Sequence, residues 1–140
     1  QKARYVYDNY GMNCFAEDTG LEITALNMEP GVDTAMYAGE ARDADANMAK
    51  VLKNLNDKED RSARFKTVIA YIKDGEVETF EGIVNGTIAT EKTGEKGFGY
   101  DPIFRPEKEG RTFAEMTDTE KNQMSHRARA MAKFMVFLFR

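Results

Sequence analysis

Arg64-Phe65-Lys66-Thr67-Val68-Ile69-Ala70-Tyr71-Ile72-Lys73-Asp74-Gly75-Glu76-Val77 is the stretch on which the fold turns. Residues 64–72 have the β-branched and aromatic content of a strand, and Asp74-Gly75 is a pair that favours a type I′ hairpin turn. A returning strand is predicted from Val77 to about Ile88. Gly82 and Gly86 inside it mark a bulge or a close approach of another backbone. A long two-stranded arm of this kind can serve as core, as a dimer surface, or as both.

Upstream, Glu22-Ile23-Thr24-Ala25-Leu26 alternates like a half-buried strand and runs to the turn signal Pro30-Gly31. From about Asp43 the pattern becomes helical, with Met48, Val51, Leu52 and Leu55 on one face, and residues 56–60 form a solvated loop. Downstream, residues 91–97 are polar and glycine-rich, a loop expected to hand Phe98 to Asp101 to the surface. Thr117-Asp118-Thr119-Glu120 has the Thr-x-x-Glu form of a capping box, so a helix starts there with Lys121 in its first turn. Ala128, Met131, Ala132, Met135, Val136 and Phe139 then give a helical apolar face. The run from Phe134 to Phe139 is apolar on all sides, which calls for core burial or, as the less ordinary alternative, a partner.

A chain of 140 residues, 41% hydrophobic, is long enough for one core and too short for two ordinary domains. The net charge of −4 argues against binding that rests on neutralising many duplex phosphates. It leaves room for a mononucleotide, which needs only a few cations and a metal. The single cysteine, Cys14, excludes an intrachain disulfide, fits a reducing, cytoplasmic setting, and reads as a buried inert thiol. No apolar run approaches the roughly 20 residues that cross a bilayer. Residues 1–11 read as the back half of a helix closing on Gly11, so an upstream segment is expected.

Phe15-Ala16-Glu17-Asp18-Thr19-Gly20-Leu21 sets two adjacent carboxylates between a short apolar segment and a glycine. A hard cation such as Mg²⁺ is usually held by one or two carboxylates together with substrate phosphates, a job that Glu17 and Asp18 suit. Solvated acids at a strand end are the commoner reading of the heptad alone. A second stretch changes the balance: Gly97-Phe98-Gly99-Tyr100-Asp101-Pro102-Ile103-Phe104, then residues 112–116, then Glu120-Lys121-Asn122-Gln123-Met124-Ser125-His126-Arg127.

With the first heptad, these segments in this order closely resemble the inosine triphosphate pyrophosphatase (Ham1-like) family, over nearly the whole chain. The family often writes the first motif Ala-Asp-Asp-Ser-Gly-Leu; Glu17 keeps the charge and Thr19 the hydroxyl. It also shows Ala-Arg-Tyr-Ala-Gly where this chain has Ala35-Met36-Tyr37-Ala38-Gly39, so Met36 replaces the usual arginine. The resemblance implies hydrolysis of ITP, dITP and XTP to the monophosphate and pyrophosphate, with Mg²⁺ bridging Asp18, Glu17, an upstream acid and the phosphates. Asp18 would orient or deprotonate the attacking water. Thr19, Phe98, Gly99, Tyr100, Asp101, Lys121, Ser125, His126 and Arg127 would contact substrate. It further implies a homodimer, and a single domain over 1–140 that lacks its N-terminal phosphate loop. The alternative is a nucleotide-binding module without turnover.

Within that frame the residues have individual readings. Phe98 in a glycine-flanked loop can stack on a purine, a contact worth about 1–3 kcal/mol. Arg127 offers a donor fork suited to the O6 and N7 acceptors of a 6-oxo purine, whereas the amino group of adenine would face donor against donor. Lys121 could reach a phosphate or a base oxygen. His126, the only histidine, would ordinarily be structural, and its neighbour Arg127 shifts the odds. The fold expected is α/β: an elongated mixed, mostly antiparallel central sheet flanked by helices, with two lobes and a cleft.

Overall fold

In the computed structural model, which describes residues 14–139, the hairpin forms as its turn demands. Strands β3 (Ser62–Lys73) and β4 (Glu76–Ile88) pair antiparallel from Ser62↔Thr87 to Lys73↔Glu76. Asp74 and Gly75 take φ of 52° and 82°. Two consecutive left-handed residues match the twist of the flanking strands, the reason this dipeptide favours such turns. Strand β1 (Cys14–Ile23) pairs antiparallel with β3 from Cys14↔Ile72 to Ile23↔Ala63. Two short strands, β2 (Glu29–Pro30) and β5 (Phe104–Pro106), complete the order β2-β1-β3-β4-β5. Every pairing among the described residues is antiparallel, so the sheet is not mixed there.

Two expectations change here. The strand predicted over 22–26 ends at Ile23, and Thr24–Leu26 is a 3₁₀ turn followed by left-handed Asn27 and Met28. Leu21 and Ile23 continue an alternation already begun at Glu17 and Thr19, so the carboxylates stand in mid-strand rather than at a strand end. The reading of residues 1–11 as a helix and that of the Cys14 thiol lie outside the described residues and side chains.

Helix α1 (Ala44–Asn54) starts where expected, because the Asp43 carboxylate accepts from the N–H groups of Asp45 and Ala46 at 3.0 and 3.2 Å. Its Met48 and Val51, with Leu55 just beyond, are buried against Leu21, Ile23, Phe65, Phe104 and Phe113 in the main core. Each fully buried side chain of this size contributes roughly 1.5–3 kcal/mol. Helix α2 (Asp118–Asn122) begins with the predicted capping box at Thr117 and Glu120. After a break, α3 (His126–Phe139) lies on β3 and β4 and forms a second cluster of Ile69, Ala130 and Phe134. The terminal apolar run is not core throughout: Phe134 is buried, while Met135, Val136 and Leu138 are exposed. A helix lying on one side of a sheet buries a single stripe. Among the described residues, no helix is long and apolar enough to cross a membrane.

The two clusters make the elongated, two-part arrangement, and one row of residues separates them. Thr19, Thr67 and Gly82 are consecutive partners across β1, β3 and β4. Thr67 is fully buried between Phe65 of the first cluster and Ile69 of the second. At Gly82 a Cβ would run into the His126 carbonyl and the Ala130 N–H, so the glycine is what lets the first turn of α3 rest on the sheet.

Candidate functional site

The loop from Gly97 to Asp101 is organised around one carboxylate. Asp101 Oδ2 accepts from the Phe98 N–H at 3.0 Å and from Lys121 Nζ at 2.5 Å. Gly97 has φ of +79°, and a Cβ there would strike the same carboxylate, so only glycine suits the position. Lys121 Nζ sits 4.5 Å from the centroid of Phe98 and 5.6 Å from that of Phe113. Phe98 itself is 68% exposed, an unusual place for a phenyl ring and a ready one for stacking. The expectation that the whole stretch reaches the surface holds only for Phe98: Tyr100 and Asp101 point inward and are buried. Tyr100 donates to the Thr34 carbonyl at 2.6 Å, and burial pushes its phenol well above the ordinary range. Thr34 Oγ1 in turn accepts from the Leu21 N–H at 3.0 Å, which ties this loop to β1.

On β1, alternation assigns the acids to different sides. Successive strand residues point to opposite faces, and the ladder to β3 is unbroken through Glu17↔Ile69 and Asp18↔Val68. Glu17 shares the α3 side with Thr19, whose hydroxyl bonds that of Thr67 at 2.9 Å. Glu17 Oε1 lies 2.8 Å from Arg127 Nε. Asp18 points the other way and is exposed. The two carboxylates therefore do not close on one ion in this geometry: Glu17 pairs with Arg127, and Asp18 is exposed on the other face of the strand.

At the start of α3, Ser125 is buried and its Oγ accepts from the Ala128 N–H at 3.1 Å, acting as the helix cap. His126 is buried and stacks on Phe65, with centroids 4.6 Å apart and planes 19° apart. Burial, then the charges of Lys121 and Arg127, push its imidazole down to about 4. It is neutral near pH 7, and among the described residues its Nδ1 has no hydrogen-bond partner. Phe113, 6.4 Å from His126, connects this group to Lys121 and Phe98.

Thr34, Thr67 and Phe113 were not singled out from the sequence. Thr67 was findable: it is the one polar residue on the alternating face Phe65, Thr67, Ile69. Phe113 follows Thr112 in a second capping box with Glu115. Met36, at the position where the family shows arginine, is 40% exposed.

Among the described residues, no three His, Cys, Asp or Glu side chains converge as a metal cage. Asp18 supplies one exposed carboxylate, a donor set that fits a hard cation completing its shell with substrate oxygens and water.

The Asp101 and Lys121 side chains are only 5% and 14% exposed. Asp101→Ala leaves a largely buried ammonium without its carboxylate and the Phe98 N–H without its acceptor. A loss of about 3 kcal/mol is expected, with Asp101→Asn, which keeps an acceptor, losing less. Urea unfolding checks this; an Asp101→Ala variant within about 0.5 kcal/mol of the parent, the range of an ordinary surface substitution, would remove Asp101 as the organiser.

The fold is that of an α/β protein built on a five-stranded antiparallel sheet, and comparison with known proteins identifies its family. A model of the Ham1 family matches residues 1–137. The chain is 51% identical to a dITP/XTP pyrophosphatase of Flavobacterium johnsoniae, covering 98% of this chain and 71% of that protein. It is 52% identical to the enzyme of the same name from Porphyromonas gingivalis, over 98% of this chain and 71% of that protein. The solved Ham1 protein of Staphylococcus aureus superposes with a TM-score of 0.95 at 42% identity, covering 98% of this chain and 72% of that one. The chain belongs to the Ham1 family.

Proposed function

We propose that the protein hydrolyses noncanonical purine nucleoside triphosphates, dITP, XTP and ITP, to the monophosphate and pyrophosphate. The observation that carries this reading is the exposed Phe98 ring with Lys121 held over it by Asp101, on a loop tied to the strand that bears Asp18. The family and the names of its members support the same chemistry.

In the proposed reaction, water adds across the α–β phosphoanhydride. Phe98 stacks on the base, which binds purines of every kind alike. Lys121, one donor engaged by Asp101, turns its others toward substrate oxygens. Arg127 donates to the 6-oxo edge, beside the neutral His126. Asp18 accepts a hydrogen bond from the attacking water and orients it or takes its proton. A divalent cation, Mg²⁺, fits the Asp18 carboxylate and supplies Lewis-acid stabilisation of the phosphates when bound. Thr19, whose hydroxyl is bonded to Thr67, and Gly99, in the loop that carries Phe98, are proposed as further substrate contacts. The exposed Met135, Val136 and Leu138 support a homodimer, and nucleotide-pool chemistry with a lone cysteine suits the cytoplasm.

Arg127→Ala tests the base-reading part. A lost bidentate contact of about 1–3 kcal/mol translates into a fall of roughly 5- to 150-fold in the ratio of kcat/KM for ITP over ATP. Pyrophosphate release assayed with both substrates measures it. Should the ratio survive the substitution, Arg127 does not read the base.

A further inference from the structure

We infer that Glu17 is a positioning residue for Arg127, and that through this pairing it helps set the preference for 6-oxo purines. The inference rests on the base-reading role proposed for Arg127.

Three observations lead to it. First, Glu17 occupies the α3 side of β1, in mid-strand and in register with Ile69, whose side chain packs under α3. Its carboxylate is thus held by a paired backbone, whereas Arg127 is a long side chain at the second position of α3 and 54% exposed. Second, Arg127 stands where a cation is least welcome. The first turn of a helix carries the positive end of the macrodipole, and the charges of both Lys121 and Arg127 reach His126. Unopposed, the guanidinium would be driven outward into solvent. Glu17 Oε1 at 2.8 Å from Nε is the counter-charge that holds it in. Third, the contact is made at Nε, the nitrogen nearest the stem. The terminal amino groups carry four of the five N–H donors of an arginine, the fork that the base-reading role calls for.

An ion pair this open to solvent does little for stability, typically about 0–1 kcal/mol. Its removal should therefore leave the fold intact and disturb recognition instead. Asp18, on the opposite face, is left as the carboxylate for the cation, so the pairing also separates the two adjacent acids by role.

The test uses Glu17→Gln, which keeps the shape and removes the charge, beside Arg127→Ala and the double variant, all in the full chain. Glu17→Gln is expected to lower the ITP-over-ATP ratio of kcat/KM about five- to twentyfold, within the range of a single bidentate contact. The loss should appear mainly as a raised KM for ITP. The melting temperature and the Mg²⁺ concentration for half-maximal activity should stay near those of the parent. In the Arg127→Ala background the same substitution should change the ratio less than twofold, because the residue it positions is gone. Glu17→Asp, which restores the charge, should recover part of the ratio.

The possible failures are distinct. If Arg127→Ala flattens the ratio and Glu17→Gln does not, the positioning role is wrong and the base reading stands. If Glu17→Gln raises the Mg²⁺ requirement for ITP and ATP alike, Glu17 serves the cation and the inference is overturned. If it acts equally with and without Arg127, its effect does not pass through that residue. If Arg127→Ala leaves the ratio unchanged, the base reading and this inference fall together.

Discussion

Asp18→Asn is expected to lower turnover of ITP by about a thousandfold or more while leaving purine binding nearly intact. The substitution keeps the side chain's shape and one acceptor oxygen. It removes the negative charge that would hold a cation and the basicity that would draw a proton from water, and each is worth orders of magnitude in such sites. Because Asp18 is exposed and on the face of β1 opposite Glu17 and Thr19, the change touches neither the Thr19 to Thr67 hydrogen bond nor the Glu17 to Arg127 pair. Fold and base pocket should therefore persist. Single-turnover hydrolysis, together with fluorescence titration using a 6-oxo purine nucleotide, separates the two effects. Near-parental turnover at saturating Mg²⁺ would exclude Asp18 as the water-orienting group.

Where the sequence was legible, the signal was local. Asp74-Gly75 specifies its own turn, the Thr117 box its helix start, and Met48, Val51 and Leu55 their buried stripe. The site was legible as a set of residues but not as an arrangement. Whether Glu17 and Asp18 act together depends on whether the chain is extended there, and extension was settled by the ladder to β3, a partner remote in sequence. The inward turn of Tyr100 and Asp101 likewise depends on remote groups, the Thr34 carbonyl and Lys121. A pattern read along one segment carries no information about such partners. The terminal run from Phe134 shows the same limit: its composition is apolar all round, and only contact with β3 and β4 decides which stripe is covered.

Gly82 shows how much of the site depends on one position that carries no functional group. It is predicted that Gly82→Ala destabilises the protein by about 3 kcal/mol or more, the upper part of the range for overpacking, and that the surviving folded fraction loses its preference for ITP over ATP. The backbone conformation is not the cause, since Gly82 is not among the residues with positive φ. The cause is space: a methyl group there meets the His126 carbonyl and the Ala130 N–H, both backbone atoms of α3 that cannot swing aside as a side chain would. Relief requires α3 to lift from β4, and the first turn of that helix carries His126 and Arg127. Lifting it would weaken the stacking of His126 on Phe65 and lengthen the Glu17 to Arg127 pair, while Asp18 and the loop around Asp101 keep their own supports. Stability and selectivity should therefore fall together, with less change in turnover of ATP. Gly110→Ala is the matched control, because a Cβ at Gly110 meets nothing within 4 Å and its φ is not positive; it should be neutral or slightly stabilising. Urea unfolding and steady-state kinetics on the two variants test the argument. A Gly82→Ala protein as stable and as selective as Gly110→Ala would show that α3 does not rest on this glycine.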